Sequence, residues 1–74
     1  MEQLLTILED IRPDVDFTNE SSLIDGGILD SFDLVSIISE INDVFQIRIG
    51  IEHMLPENFN SAQAMMKLIA SLQN

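Results

Sequence analysis

The sequence predicts an all-α fold: a small four-helix bundle of three main helices plus one short helix, with a long first loop. Three observations carry this. Apolar residues recur at helical spacing in three separate stretches. The only strictly alternating stretch, Phe45-Gln46-Ile47-Arg48-Ile49-Gly50-Ile51, has no second alternating run to pair with. A chain of 74 residues has room for one core, so residues 1–74 are expected to form a single domain.

The first helix is expected from about Glu2 to Ile11, where Leu4, Ile7, Leu8 and Ile11 share one face. Arg12-Pro13 ends it, because proline disfavours helical geometry in the residue before it. The loop from Pro13 to Asp30 is rich in Asp, Asn, Ser and Gly, with Val15, Phe17, Leu23, Ile24, Ile28 and Leu29 spaced along it. A loop this long in a small domain is functional or pinned by such apolar anchors.

A second helix is predicted from about Ser31 to Phe45, with Leu34, Ile37, Ile38, Ile41 and Phe45 toward the core. Ser36, Ser39, Glu40 and Asp43 fall opposite, together with Phe32, and Val35 lies at the edge of that surface. Asp30 is placed to cap this helix, and Asp33 lies in its first turn, where the dipole favours an acid. The alternating run that follows is read as an extended connector, since an isolated strand leaves its backbone groups unpaired. One short helical turn is expected from Ile51 to Leu55, before Pro56. The last helix is read with Asn60 as cap, Gln63 as its capping-box partner, and Met65, Met66, Ile69 and Leu72 on one face. Met54, Met65 and Met66 are expected to fill the core.

Charge narrows the function. Three basic against 13 acidic residues give a formal net charge of −10, so nucleic-acid phosphates and anionic lipid heads are repelled and cationic protein surfaces attracted. The absence of cysteine excludes a disulfide scaffold, a thiolate zinc site and a catalytic thiol, and a lone His53 argues against a histidine metal cluster. Neither a secretory signal nor a membrane-spanning run is apparent, and cytoplasmic residence is the default expectation. With 46% apolar residues in so short a chain, a deep substrate pocket in addition to a core is not expected.

The densest signal is Leu23-Ile24-Asp25-Gly26-Gly27-Ile28-Leu29-Asp30-Ser31-Phe32-Asp33-Leu34-Val35. A turn-forming Asp-Gly-Gly delivers Ser31 to the first turn of an amphipathic helix, where free backbone N–H groups and the dipole favour an attached anion such as a phosphate. Taken alone, an Asp-Ser pair before an apolar helix reads as a simple helix cap. The wider context changes that reading.

The stretch resembles the attachment motif of the acyl carrier and peptidyl carrier family. The resemblance extends over nearly the whole chain: its length, its acidity, the long first loop, the Asp30-Ser31 helix start and Phe45-Gln46-Ile47-Arg48-Ile49 after the helix. It implies that Ser31 receives 4′-phosphopantetheine from coenzyme A, added by a separate magnesium-dependent phosphopantetheinyl transferase. The arm supplies its own thiol and holds an acyl or aminoacyl group as a thioester, so the carrier needs no cysteine and is not an enzyme. Gly27-Ile28-Leu29-Asp30-Ser31 and Asn58-Phe59-Asn60-Ser61 look most like the free-standing carriers of D-alanine. The motif departs from the Gly-Gly-His-Ser of peptidyl carriers. Phe32, Ser36 and Asn42 also stand where fatty-acid carriers have a leucine and acids, which points away from a fatty-acid-synthase role. The resemblance further implies a monomer that meets an activating ligase and a downstream acyltransferase or synthase. Phe32, Asp33, Val35 and Ser36 form the expected partner surface beside Asp30 and Ser31.

Three rival readings follow from the residues alone. Asp14-Val15-Asp16-Phe17-Thr18-Asn19-Glu20 suggests a calcium loop, but its sixth position is Asn19 rather than glycine and its twelfth is Asp25 rather than glutamate. Ser31, His53 and Asp30 could nominally form a triad, without a pocket or oxyanion hole to serve it. A small acidic adaptor or nucleic-acid mimic, binding basic partners without modification, fits the charge equally well.

Overall fold

A computed structural model describes residues 1–73. The chain forms α1 (Glu2–Ile11), α2 (Ser31–Phe45), a single 3-10 turn at Ile51–His53, α3 (Pro56–Phe59) and α4 (Ala62–Leu72). Among the described residues there is no strand. α1 packs against α2 and α4, and α3 packs against α4, so the bundle closes around one core.

The buried positions follow from the helical periodicity. Leu4 and Leu8 of α1, Ile37 and Ile41 of α2, and Met65 and Ile69 of α4 are fully buried and meet at the centre. Each such side chain contributes about 1.5–3 kcal/mol relative to leaving it in water. Leu34, Ile38 and Phe45, expected toward the core, pack at its margin and are only partly buried.

The long first loop is held by the same core. Phe17, Leu23 and Leu29 are buried, and Val15, Ile24 and Ile28 pack partly against them. Its last turn winds tightly, the Leu23 carbonyl accepting from both Ile28 N at 3.1 Å and Leu29 N at 2.9 Å. Both glycines of this turn are required. A Cβ at Gly26 would lie 2.6 Å from the Ser22 carbonyl oxygen, and Gly27 adopts a left-handed φ of +71°.

The connector from Ile47 to Gly50 forms neither helix nor strand, as the missing partner strand predicts. Asn42 holds it to α2: its carbonyl accepts from Ile47 N at 3.3 Å and its side-chain Oδ1 from Ile49 N at 2.9 Å. The residue that replaces an acid on α2 is therefore a structural one. Gln46 ends α2 in the left-handed conformation, with φ 55°.

Two expectations are corrected downstream. The cap of the last helix is Ser61, not Asn60, with Ser61 Oγ accepting from Ala64 N at 3.0 Å, and Gln63 is exposed and completes no capping box with Asn60. The reason lies upstream: Pro56 starts a separate one-turn helix that buries Phe59, and the chain then turns at Asn60 before α4 begins. Asn60 instead clamps the first loop. Its Oδ1 accepts from Ile24 N and Asp25 N, both at 3.0 Å, its Nδ2 donates to Asp25 Oδ2 at 2.9 Å, and its carbonyl accepts from Leu23 N at 3.0 Å. The second correction concerns Met54, which is exposed; Met65 is fully buried and Met66 partly so.

Asn60→Ala removes the three side-chain bonds of this clamp and is expected to destabilise the fold by about 1–3 kcal/mol. Loss of the Ser61 cap in Ser61→Ala is expected to cost about 1 kcal/mol. Equilibrium urea unfolding measures both; a smaller loss at Asn60 than at Ser61 would show that the loop clamp is energetically idle.

Candidate functional site at the start of α2

The last turn of the first loop, pinned by buried Leu23 and Leu29, hands the chain to α2 through Asp30. Asp30 has extended backbone geometry, and its Oδ1 accepts from Asp33 N at 2.9 Å. Asp33 Oδ2 accepts in return from Asp30 N at 3.3 Å, completing a capping box. Ser31, the first residue of the helix, is exposed and is not its cap. The simple-cap reading of the Asp-Ser pair is thereby answered: the aspartate caps, and the serine is left to face solvent at the positive end of the helix dipole.

The neighbouring side chains divide into two groups. Phe32 is 85% exposed and Val35 61% exposed, and Ser36 is also exposed, so an apolar pair stands in water beside Ser31. Asp33 turns the other way, its side chain only 16% exposed and ion-paired with Arg12 Nη1. The same Nη1 donates to the Ile28 carbonyl at 3.1 Å, while Arg12 Nε and Nη2 donate to Asp14 Oδ1 and Oδ2, each at 3.0 Å. One guanidinium thus joins the end of α1, the first loop and the first turn of α2. These bonds, to Asp14 first and Asp33 second, raise the Arg12 pKa, and Arg12 in turn lowers that of Asp14.

Sequence reasoning missed Arg12, treating it only as the residue before a helix-ending proline. The available signal was its isolation: it is the only cation before Arg48 in a chain of net charge −10.

The rival constellations do not assemble. His53 Nδ1 accepts from Gly50 N at 3.0 Å, and Asp30 is occupied with Asp33, so no relay joins either to Ser31. Asp14 is taken by Arg12, Asp16 Oδ2 accepts from Asn19 Nδ2 at 2.8 Å, and Glu20 Oε1 accepts from Ser22 N at 3.2 Å. Among the described residues no three acidic, histidine or cysteine side chains converge to hold a metal ion. An open groove of about 370 Å³ lies at α3 and α4, lined by Glu57, Asn58, Ala64, Lys67, Leu68 and Ser71, and includes none of the residues around Ser31. Among the described residues no helix is long and apolar enough to cross a membrane.

Acid should reveal the Arg12–Asp14 pair. Because the Asp14 pKa is lowered in the folded state, its contribution is fully present above the ordinary aspartate range, about pH 4. It is lost as pH falls through the lowered value. Urea midpoints followed between about pH 6 and pH 2 should therefore fall less steeply on the acid side in Asp14→Asn than in the parent chain. Parallel acid limbs would show that the pair contributes nothing.

No protein-family model matches the chain. Curated relatives do. A D-alanyl carrier protein of Streptococcus uberis is 31% identical over 61 residues, covering 82% of this chain and 77% of the relative. The D-alanyl carrier proteins of Streptococcus equi subsp. zooepidemicus and subsp. equi are each 34% identical over the same shares. The all-helical bundle agrees with that similarity. The chain belongs to the carrier-protein family of the D-alanyl carrier proteins, and it is a carrier rather than an enzyme.

Proposed function

We propose that the chain is a single carrier domain, residues 1–74, whose Ser31 is joined through a phosphodiester to 4′-phosphopantetheine donated by coenzyme A: the Ser31 hydroxyl, giving up its proton, attacks the coenzyme A pyrophosphate, and adenosine 3′,5′-bisphosphate leaves. The observation that carries this is the division of labour at the start of α2. Asp30 caps the helix, so the exposed Ser31 hydroxyl can be esterified without loss of the cap. The first-turn N–H groups and the helix dipole favour a phosphate at that position. Asp33, which would repel it, is neutralised by Arg12. The arm, when present, supplies the thiol that holds the acyl or aminoacyl group as a thioester.

The chain's own residues do the rest. Phe32 and Val35 offer apolar contact and Asp30 an exposed charge to a basic partner. Ser36 continues this surface, and Asp33 shapes it from below through its bond to Arg12. The partners on this reading are a phosphopantetheinyl transferase, a ligase that activates the cargo, and an acyltransferase or synthase that receives it from a monomeric carrier in the cytoplasm. A small aminoacyl cargo is favoured over a long fatty chain. The relatives are named for D-alanine, and the core around α2 is filled by Ile37 and Ile41, stiff branched side chains with no exposure.

Incubation with coenzyme A, magnesium and a broad-specificity phosphopantetheinyl transferase should add one phosphopantetheinyl mass, read by intact-protein mass spectrometry. Ser31→Ala should abolish the addition and leave the helical circular dichroism unchanged, because Asp30 still caps α2. Labelling retained in that variant, or found at Ser36 or Ser39, overturns the assignment.

Loading the modified protein with a two-carbon acyl group, an aminoacyl group and a long acyl chain tests the cargo. The three forms should melt within a few degrees of one another. A large stabilisation by the long chain alone would show that the core shelters it, and the small-cargo reading would fall.

A further inference from the structure

We infer that Arg12 is a positioning residue for arm attachment: it fixes the first turn of α2 and so determines how Ser31 is presented to the transferase. The inference rests on the proposed attachment at Ser31 and adds to it a residue that never touches the arm.

Arg12 is the C-cap of α1, where its backbone N donates to the Leu8 carbonyl at 2.9 Å. Its guanidinium is therefore carried on the end of a helix buried through Leu4, Ile7 and Leu8. From that base it reaches both sides of Ser31. Before the serine it holds the Ile28 carbonyl at 3.1 Å, and after it the Asp33 carboxylate. The Asp33 oxygen bound by Arg12 is also the one that accepts from Asp30 N, so the cation secures the capping box itself. The bidentate grip on Asp14 fixes the plane of the guanidinium and so the direction of Nη1. Without Arg12, the loop is still anchored at Leu23 and Leu29. Asp33 is then left as an uncompensated, largely covered carboxylate, free to rotate away from Asp30. Ser31 lies between the two freed ends.

The sign of the effect separates positioning from simple charge. Removing a cation makes an already anionic carrier more attractive to a basic transferase, so electrostatic steering alone predicts unchanged or faster attachment. Loss of positioning predicts slower attachment.

The experiment measures the rate of phosphopantetheinyl addition by intact mass for Arg12→Gln, Arg12→Lys, Asp33→Asn and the Arg12→Gln/Asp33→Asn pair, well below each melting temperature. Arg48→Gln, an exposed connector position, supplies the same change of net charge. Ile69→Val, in the core, controls for lost stability. Arg12→Gln should lower kcat/KM about tenfold, mainly through kcat at saturating carrier. Arg12→Lys should recover only part of it, because an ammonium keeps the charge but not the fork. The double variant should be no slower than Arg12→Gln alone, since both changes break one device. Hydrogen exchange at the amides of residues 30–34 should rise in Arg12→Gln and not in the two controls. Attachment at the parent rate in Arg12→Gln, an equal slowing in either control, or full recovery by Arg12→Lys overturns the positioning role, and Ser31 remains the attachment point. No addition to the parent chain overturns the attachment itself.

Discussion

An irregular segment buried in the same core as the helices is the constraint on which the start of α2 depends. Phe17, Leu23 and Leu29 belong to no helix, yet they are as buried as the residues of α1, α2 and α4. Burial of these side chains offsets the entropy of ordering a long loop. It also brings backbone polar groups to the edge of the core, where they must be satisfied. The loop answers that need internally at Leu23, whose carbonyl takes two amides, and externally through Asn60, which takes three more. Among the described residues no buried side-chain nitrogen or oxygen is left without a partner.

Charge is organised around the same place. In a chain of net charge −10, both ion pairs found among the described residues converge on Arg12. Its position between Asp14 and Asp33 relieves repulsion where the loop meets the helix, and it leaves the rest of the surface predominantly acidic. Exposed Phe32 and Val35 then stand in an anionic field, the combination that suits a transient, electrostatically steered encounter more than a permanent interface.

Sequence and structure part company where two signals of the same kind lie side by side. Asn60 and Ser61 are both good helix caps, and local pattern alone favoured the first because Gln63 follows it by three. The choice was made by the first loop: the Asn60 side-chain amide accepts from Ile24 N and Asp25 N and donates to the Asp25 carboxylate, while the Ser61 hydroxyl is left to cap α4. Asp33 shows the same logic. Its place in the first turn follows from the dipole, but whether it faces solvent or the molecule depended on where α1 ends.

The sequence by itself determined the features set by near neighbours. Apolar periodicity specified the three main helices. Asp30 specified the cap of α2, the Gly26-Gly27 pair the turn before it, and the lack of a partner strand a connector without strand structure. The exposed serine at the helix start was legible for the same reason, since cap, turn and dipole all act within a few residues. Tertiary structure alone decided which polar side chains hold the loop and frame the serine. Arg12 meets Asp33 across 21 positions and Asn60 meets Ile24 across 36, and such pairs exist only after the core has brought distant segments together.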